Sequence, residues 1–227
     1  MPRTSLDSSR SLKTLPNPSR GLPDPNDGLG GYGLPSTIRS IQKTGFRRWG
    51  FRIYRCTYDD DDDDAWDRYV GNLEHRLQKG LKATGSDYML APYHEWTIVE
   101  DREALDGAAK GEVRSRFRRW REARSVQRDG PGADHELIGL IGLVARFEAC
   151  IMVDEECLDS MEKNKGKANR FEPYFVVIGH QGLPLRRSWR SSEKLGMRSY
   201  VVLYDELCGM GPWWRRRQDP PDIYPYI

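Results

Sequence analysis

The stretch "WGFRIYRCTYDDDDDDAWDRYVGNLEHRLQKGL", residues 49–81, changes from one hydrophobic pattern to another within a few residues, and this change decides the fold. Its first part, "WGFRIYRCTY", is rich in aromatic and β-favouring residues and predicts a strand. Six consecutive aspartates follow at residues 59–64. The apolar residues beyond them recur at the spacing of an amphipathic helix: Trp66, Tyr69, Val70, Leu73, Leu77 and Leu81. The stretch therefore predicts a strand, an acidic turn and a helix.

The rest of the chain continues this alternation. Four more strands are predicted: "HEWTIVED" (94–101), residues 146–153, "YFVVIGH" (174–180) and "SYVVLYDEL" (199–207), the last of which runs into a short helical turn. "LDGAAKGEVRSRFRRWREAR" (105–124) predicts a helix with Asp106 as its N-cap, and residues 155–163 predict another. Residues 136–144 fit either a helix or a strand.

The order of these elements is β-α-β-α-β-α-β-β. Several strands alternate Arg or Tyr with apolar residues, which is typical of a sheet with one solvated face. We therefore expect an α+β fold, with helices packed on one face of a single mixed β-sheet. Residues 1–45 are rich in Pro, Ser and Gly and have no hydrophobic period, so they predict a disordered tail. Residues 46–227 then form a single α+β domain.

Composition limits the classes of partner and compartment. The 227 residues carry a net charge of only +2, which requires neither a nucleic acid nor a membrane as partner. No apolar run approaches the roughly 18 residues of a membrane span. Cys56, Cys150, Cys157 and Cys208 form no CxxC pair, and no secretory signal precedes them, which favours reduced thiols. We expect an intracellular protein, cytoplasmic or nuclear, since Asp7 and the prolines argue against a mitochondrial presequence.

Three blocks together resemble a known group of proteins. They are "YRCTYDDDDDDAWDRYV" (54–70), "EWTIVEDREALDGAAKGEVRSRFRRW" (95–120) and "ACIMVDEECLDSM" (149–161). They are similar to a large family of filamentous-fungal proteins. Members of that family have a strand ending in Thr-Tyr, then an acidic turn and a Trp-bearing helix, and later VEDRE-LDGA and VDEE-LDS elements. The resemblance implies a fungal lineage and no established activity. Asp63, Asp64 and Asp67 also form DDxxD, which is similar to the DDxxE motif of fungal arginine-containing cyclodipeptide synthases.

The aspartate run has the chemistry of a metal site but not the ligand spacing of one. We interpret it as a solvated acidic loop in which Asp63 or Asp64 caps the following helix, because negative charge complements the N-terminal end of a helix dipole. Two alternatives are a surface for a basic partner and a metal site.

Two further acidic groups directly follow predicted strands. If the first three strands are parallel neighbours, all three acidic turns gather at one edge of the sheet, where α/β proteins often place their sites. Clustered carboxylates there could hold Mg²⁺ or share a proton for acid–base chemistry. The candidate catalytic residues are Asp63, Asp64, Asp67, Glu100, Asp101, Asp154, Glu155 and Glu156. The alternative is that Asp154 and Asp106 cap their helices.

The helix around residues 108–126 is strongly basic. Arg114, Arg118 and Arg121 fall within one stripe, which could contact phosphate or RNA, although a charged outer face is also typical of any amphipathic helix. The four cysteines and four histidines have no zinc-site spacing, and we expect Cys150 and Cys157 to be buried thiols.

These observations favour an intracellular binding or accessory protein whose partner is a protein or a small molecule. No catalytic motif is recognisable. One alternative is a carboxylate-based enzyme that depends on a metal such as Mg²⁺ or on acid–base chemistry. Such an enzyme would belong to a specialised biosynthetic pathway, and a tRNA-dependent cyclodipeptide synthase is one form of it. The other alternative is an RNA-contacting protein that uses the basic helix.

Overall fold

The computed structural model of the protein describes residues 9–13, 22, 33–59, 62–141, 143–162, 172–180 and 192–209, with the backbone alone at 9–13, 62, 139–141, 192 and 193. The strands are β1 (Ser9–Lys13), β2 (Arg52–Arg55), β3 (Glu95–Val99), β4 (Ala149–Val153), β5 (Tyr174–Gly179) and β6 (Ser192–Gly196). The helices are α1 (Pro35–Thr44), α2 (Asp62–Ala83), α3 (Asp87–Leu90), α4 (Arg102–Leu105), α5 (Lys110–Glu122), α6 (Val126–Asp129), α7 (Glu136–Ile141), α8 (Glu155–Glu162) and α9 (Tyr200–Cys208).

Five strands form the sheet in the order β3-β2-β4-β5-β6, and β1 adds along its β3 edge. Strand β2 pairs in parallel with both β3 and β4, so that Arg52 lies opposite Thr97 on one side and Cys150 on the other. The β4–β5, β5–β6 and β1–β3 pairs are antiparallel. The α+β class with one mixed sheet is therefore confirmed.

Helices cover the sheet from both sides. The Tyr200 ring of α9 packs edge-on against Phe51, with ring centres 5.3 Å apart. The Trp120 ring of α5 instead lies 4.9 Å from the guanidinium of Arg52. Because consecutive residues of an extended chain point to opposite faces, α9 and α5 pack on opposite faces. Arg52 is consequently buried. The alternation of Arg with apolar residues had predicted a solvated face instead, and that prediction is wrong.

Helix α2 buries the stripe that its sequence predicts. Its buried side chains include Trp66, Tyr69, Leu73, Leu77 and Leu81. The hydroxyl of Tyr69 donates to the carbonyl of Tyr174 at 2.8 Å, which ties the helix to β5. The prediction of an amphipathic helix after the aspartates is confirmed.

The prediction of a strand at residues 199–207 is wrong. These residues form a short 3-10 turn and helix α9, and the last strand is β6. Tyr200, Leu203, Tyr204 and Leu207 are all buried at helical spacing. Burial of that face against the sheet outweighs the β-propensity of the "YVVLY" run, because propensity is weak compared with tertiary packing.

The predicted disordered tail, residues 1–45, extends too far along the chain. Helix α1 lies within residues 1–45, and Ile38 and Ile41 on it are buried in the core, as is Leu34 before it. Its Thr37 amide donates to the Asp205 carboxylate of α9 at 2.7 Å. Strand β1 also falls inside that stretch. Residues 1–8, 14–21 and 23–32 of the predicted tail lie outside the described residues.

Candidate functional site

The three acidic turns meet at one edge of the sheet. Strands β3, β2 and β4 are parallel neighbours, so the residues that follow Val99, Arg55 and Val153 emerge side by side. Backbone hydrogen bonds join the turns: the amide of Cys56 donates to the carbonyl of Val153 at 2.8 Å, and the amide of Gly107 donates to the carbonyl of Cys56 at 3.1 Å. The expected convergence of the turns is therefore observed.

A cavity of about 370 Å³ opens between the turn after β2 and the turn after β3. The residues around it carry three carboxylates, two guanidiniums and one phenol: Asp59, Asp63, Glu100, Arg55, Arg102 and Tyr58. Two of the predicted candidates, Asp63 and Glu100, thus line one pocket. Residues 60 and 61 of the aspartate run lie outside the described residues.

Arg55 is the centre of this pocket. It is the last residue of β2, and it is buried although it carries a charge. Its Nη2 donates to Asp63 Oδ1 at 2.7 Å, and its Nε donates to the carbonyl of Thr57 at 2.9 Å. Its Nη1 lies 3.6 Å from Glu100 Oε1. Carboxylates from two separate turns therefore compensate one buried cation, which a buried charge requires.

Two aromatic rings hold the same guanidinium. The carbon at its centre lies 4.5 Å from the ring centre of Tyr58 and 5.3 Å from that of Trp66. The negative faces of such rings attract cations. The Tyr58 oxygen accepts a hydrogen bond from the amide of Asp101 at 2.9 Å. Burial raises the pKa of Tyr58 to about 12, so its hydroxyl keeps its proton at neutral pH.

Two other candidate carboxylates cap short helices. Asp101 Oδ1 accepts from the amide of Ala104 at the start of α4, at 3.3 Å. Asp154 Oδ1 accepts from the amide of Cys157 in the first turn of α8, at 3.1 Å. The capping alternative is therefore confirmed for Asp154. It is wrong for Asp106, which follows α4, while α5 begins at Lys110 with Ala109 at its N-cap.

The remaining candidates are separate from the pocket. Glu156 binds Lys194 on β6, with 2.6 Å between Oε2 and Nζ, and this hydrogen bond lowers the pKa of Glu156. Glu155, Asp64 and Asp67 are exposed. Asp63 and Asp64 both lie inside the first turn of α2. The capping residue of a helix stands before that turn, so neither of them is the predicted cap of α2.

The basic stripe of α5 is partly used inside the protein. Arg121 donates through Nε to the carbonyl of Phe147 at 2.6 Å, and its Nη2 lies 3.2 Å from Glu148 Oε1. Arg114 donates to the carbonyl of Gly179 at 3.3 Å. Arg118 is exposed. Two members of the predicted phosphate-binding stripe therefore hold α5 to the ends of β4 and β5.

The cysteines are buried free thiols, as predicted for Cys150 and Cys157. Cys56 lies closest in sequence to the pocket, and burial together with the negative charge of Asp154 raises its pKa to about 12. A thiol of this kind is a poor nucleophile at neutral pH. Within the described ranges, no three His, Cys, Asp or Glu side chains are grouped so that they could hold a metal ion.

Sequence reasoning missed four of the residues that line the pocket, namely Arg55, Tyr58, Asp59 and Arg102. Each of them stands within four residues of the end of a parallel strand. The signal that could have found Arg55 is a cation at the last position of a strand, followed directly by a turn rich in carboxylates.

The fold and the site together define an α+β protein with a pocket of mixed charge at the carboxyl edge of its parallel strands. Comparisons of the chain with family models, curated proteins and solved structures found no match. In the part of the chain that the structure describes, no helix has the length and apolar character needed to cross a membrane.

Proposed function

We propose that the protein acts by binding, and that the pocket around Arg55 takes a ligand carrying a positive charge. The observation that supports this proposal is the placement of Asp59, Asp63 and Glu100 around one cavity that also contains Arg55 and Arg102. Carboxylates outnumber guanidiniums there. The neighbouring residues 60–62 are aspartates as well, so the local sequence adds further negative charge.

The chemistry of the pocket suits an ammonium or a guanidinium group. Such a group donates several hydrogen bonds, and carboxylates are strong acceptors for charged donors. The partial burial of Glu100, whose side chain is 20% exposed, strengthens its interaction with a cation relative to a fully solvated carboxylate. A volume of about 370 Å³ accommodates a small molecule or one basic side chain of a protein partner.

A carboxylate-based enzyme is the second candidate, and it rests on the same pocket. Glu100 is partly withdrawn from water, and Tyr58 nearby keeps its proton. A carboxylate and a phenol in one cavity can serve as base and acid. The RNA-contacting alternative has less support, because Arg114 and Arg121 already donate to main-chain carbonyls of the protein.

Calorimetric titration with butylamine and with methylguanidinium tests the proposal. We expect binding that weakens as salt is raised, because exposed charges are screened. Glu100→Gln should weaken binding about fivefold, the size expected for loss of one partly exposed charge pair. Glu122→Gln is the matched control, since it makes the same change at an exposed position in the last turn of α5. Equal binding by the two variants, or none by the wild type, would contradict the proposal.

A further inference from the structure

The pocket presents charges of both signs at fixed places. Asp63 and Glu100 belong to different turns, and Arg55 lies between them. Arg102 adds a second guanidinium to the lining. A pocket built for a simple cation needs only carboxylates, so the buried Arg55 requires a separate explanation.

Arg55 lines the cavity and has more hydrogen-bond donors than its contacts with the described residues use. A guanidinium carries five N–H donors. Toward the described residues, Arg55 donates one through Nε and one through Nη2. Among the described side chains, its Nη1 lies 3.6 Å from Glu100, an ionic contact that is too long for a hydrogen bond. An acceptor brought by a ligand would meet a donor that is already oriented and largely removed from water.

Arg55 is also held in place. The Tyr58 ring lies at 4.5 Å, the Thr57 carbonyl accepts from Nε, and the stem is buried in the sheet. These contacts oppose any movement of the guanidinium away from a second positive charge. A ligand with positive charge throughout would approach a fixed cation, and a ligand with negative charge alone would approach three carboxylates.

We infer that the pocket selects a small zwitterionic ligand, whose ammonium or guanidinium group lies among Asp59, Asp63 and Glu100 and whose carboxylate accepts hydrogen bonds from Arg55. This inference rests on the proposed function, because it names the class of ligand for the same site. The inference adds a role for Arg55. Its guanidinium determines specificity by donating hydrogen bonds to an acceptor group on the ligand. Arg–carboxylate hydrogen bonds are charge-assisted and geometrically specific, which suits this role.

The experiment compares three ligands of equal chain length by calorimetry on the full chain. γ-Aminobutyrate carries both charges, butylamine carries the ammonium alone, and butyrate carries the carboxylate alone. In the wild type, γ-aminobutyrate should bind about tenfold more tightly than butylamine, the gain expected from one charge-assisted hydrogen-bonded contact. Butyrate should show no binding over the same concentrations.

Substitution of Arg55 tests the same contact from the protein side. Arg55→Gln should remove the advantage of γ-aminobutyrate over butylamine while butylamine still binds. Arg55→Lys keeps the charge but loses the planar fork, and it should retain only part of the advantage. If these variants fail to fold, the comparison of ligands in the wild type decides alone.

The outcomes separate the two proposals. If butylamine binds as tightly as γ-aminobutyrate in the wild type, the zwitterion inference is overturned while cation binding stands. If γ-aminobutyrate keeps its advantage in Arg55→Gln, Arg55 is not the residue that recognises the carboxylate, and the inference also fails. If none of the three ligands binds, both proposals fail.

Discussion

His94 should make the stability of the protein depend on pH. It is buried, and its Nε2 lies 3.2 Å from the hydroxyl of Tyr200. That hydroxyl already accepts hydrogen bonds from the amide of Phe51, at 3.1 Å, and from the indole of Trp96. Its own proton is therefore donated to His94 Nε2, and the network assigns the imidazole proton to Nδ1. A second proton on Nε2 would point at an oxygen with no lone pair left.

The environment of His94 opposes a positive charge in two ways. Burial and then the nearby guanidinium of Arg146 lower the pKa of His94 to about 3. In the unfolded chain the imidazole titrates near its ordinary pKa of about 6.5. Between these values the unfolded state binds more protons, so stability is lost as pH falls below about 6.5. Integration of this difference gives a loss of about 2 kcal/mol between pH 7.5 and pH 5.

Urea unfolding of the wild type and of His94→Gln over that pH range measures this contribution. The Gln side chain does not titrate, so the variant should lose about 2 kcal/mol less than the wild type on acidification. Most carboxylates titrate below pH 5 and affect both proteins alike. His75→Gln removes an exposed histidine of α2 and should behave as the wild type. Equal pH dependence of the wild type and His94→Gln would refute the buried neutral imidazole.

Two further predictions concern packing, and both are measured by urea unfolding. In α2, an added Cβ at Gly71 meets open space, whereas one at Gly80 would lie 2.8 Å from Cγ2 of Val201 on α9. Gly71→Ala should therefore stabilise by about 0.5–1 kcal/mol, and Gly80→Ala should destabilise by about 1–2 kcal/mol; changes of the same sign would contradict the close approach of α2 to α9. Trp120→Ala should cost about 2–4 kcal/mol, because the ring is partly buried and stacks on Phe147 with 5.4 Å between ring centres. A cost below about 1 kcal/mol would mean that this ring contributes little to the core.

The elements that sequence predicted correctly are those whose signal is local. The stripe of α2 extends over more than four turns, and its burial follows its period. The convergence of the acidic turns was predicted only on the condition that the strands are parallel neighbours. Each turn shows its carboxylates in the sequence, but strand pairing involves residues far apart in the chain, as with Arg52 and Cys150.

The elements that sequence missed depend on tertiary contacts. Helix α1 has only ten residues within a stretch rich in Pro and Ser, and its stability comes from burying Ile38 and Ile41 against the core. Helix α9 has the composition of a strand. As a helix it places the Tyr200 hydroxyl where three groups share it as a hydrogen-bond partner. These groups are the amide of Phe51, the imidazole of His94 and the indole of Trp96.

Arg55 illustrates why a candidate site is harder to predict than a fold. In the sequence it is a cation in an alternating strand, a pattern that favours solvent exposure. Its burial becomes favourable only when Asp63 from α2, Glu100 from the end of β3 and the Tyr58 ring surround it. These partners also line the pocket, so the same interactions that compensate the buried charge set the charge pattern a ligand would meet. The site and the local stability of this edge are therefore coupled through one residue.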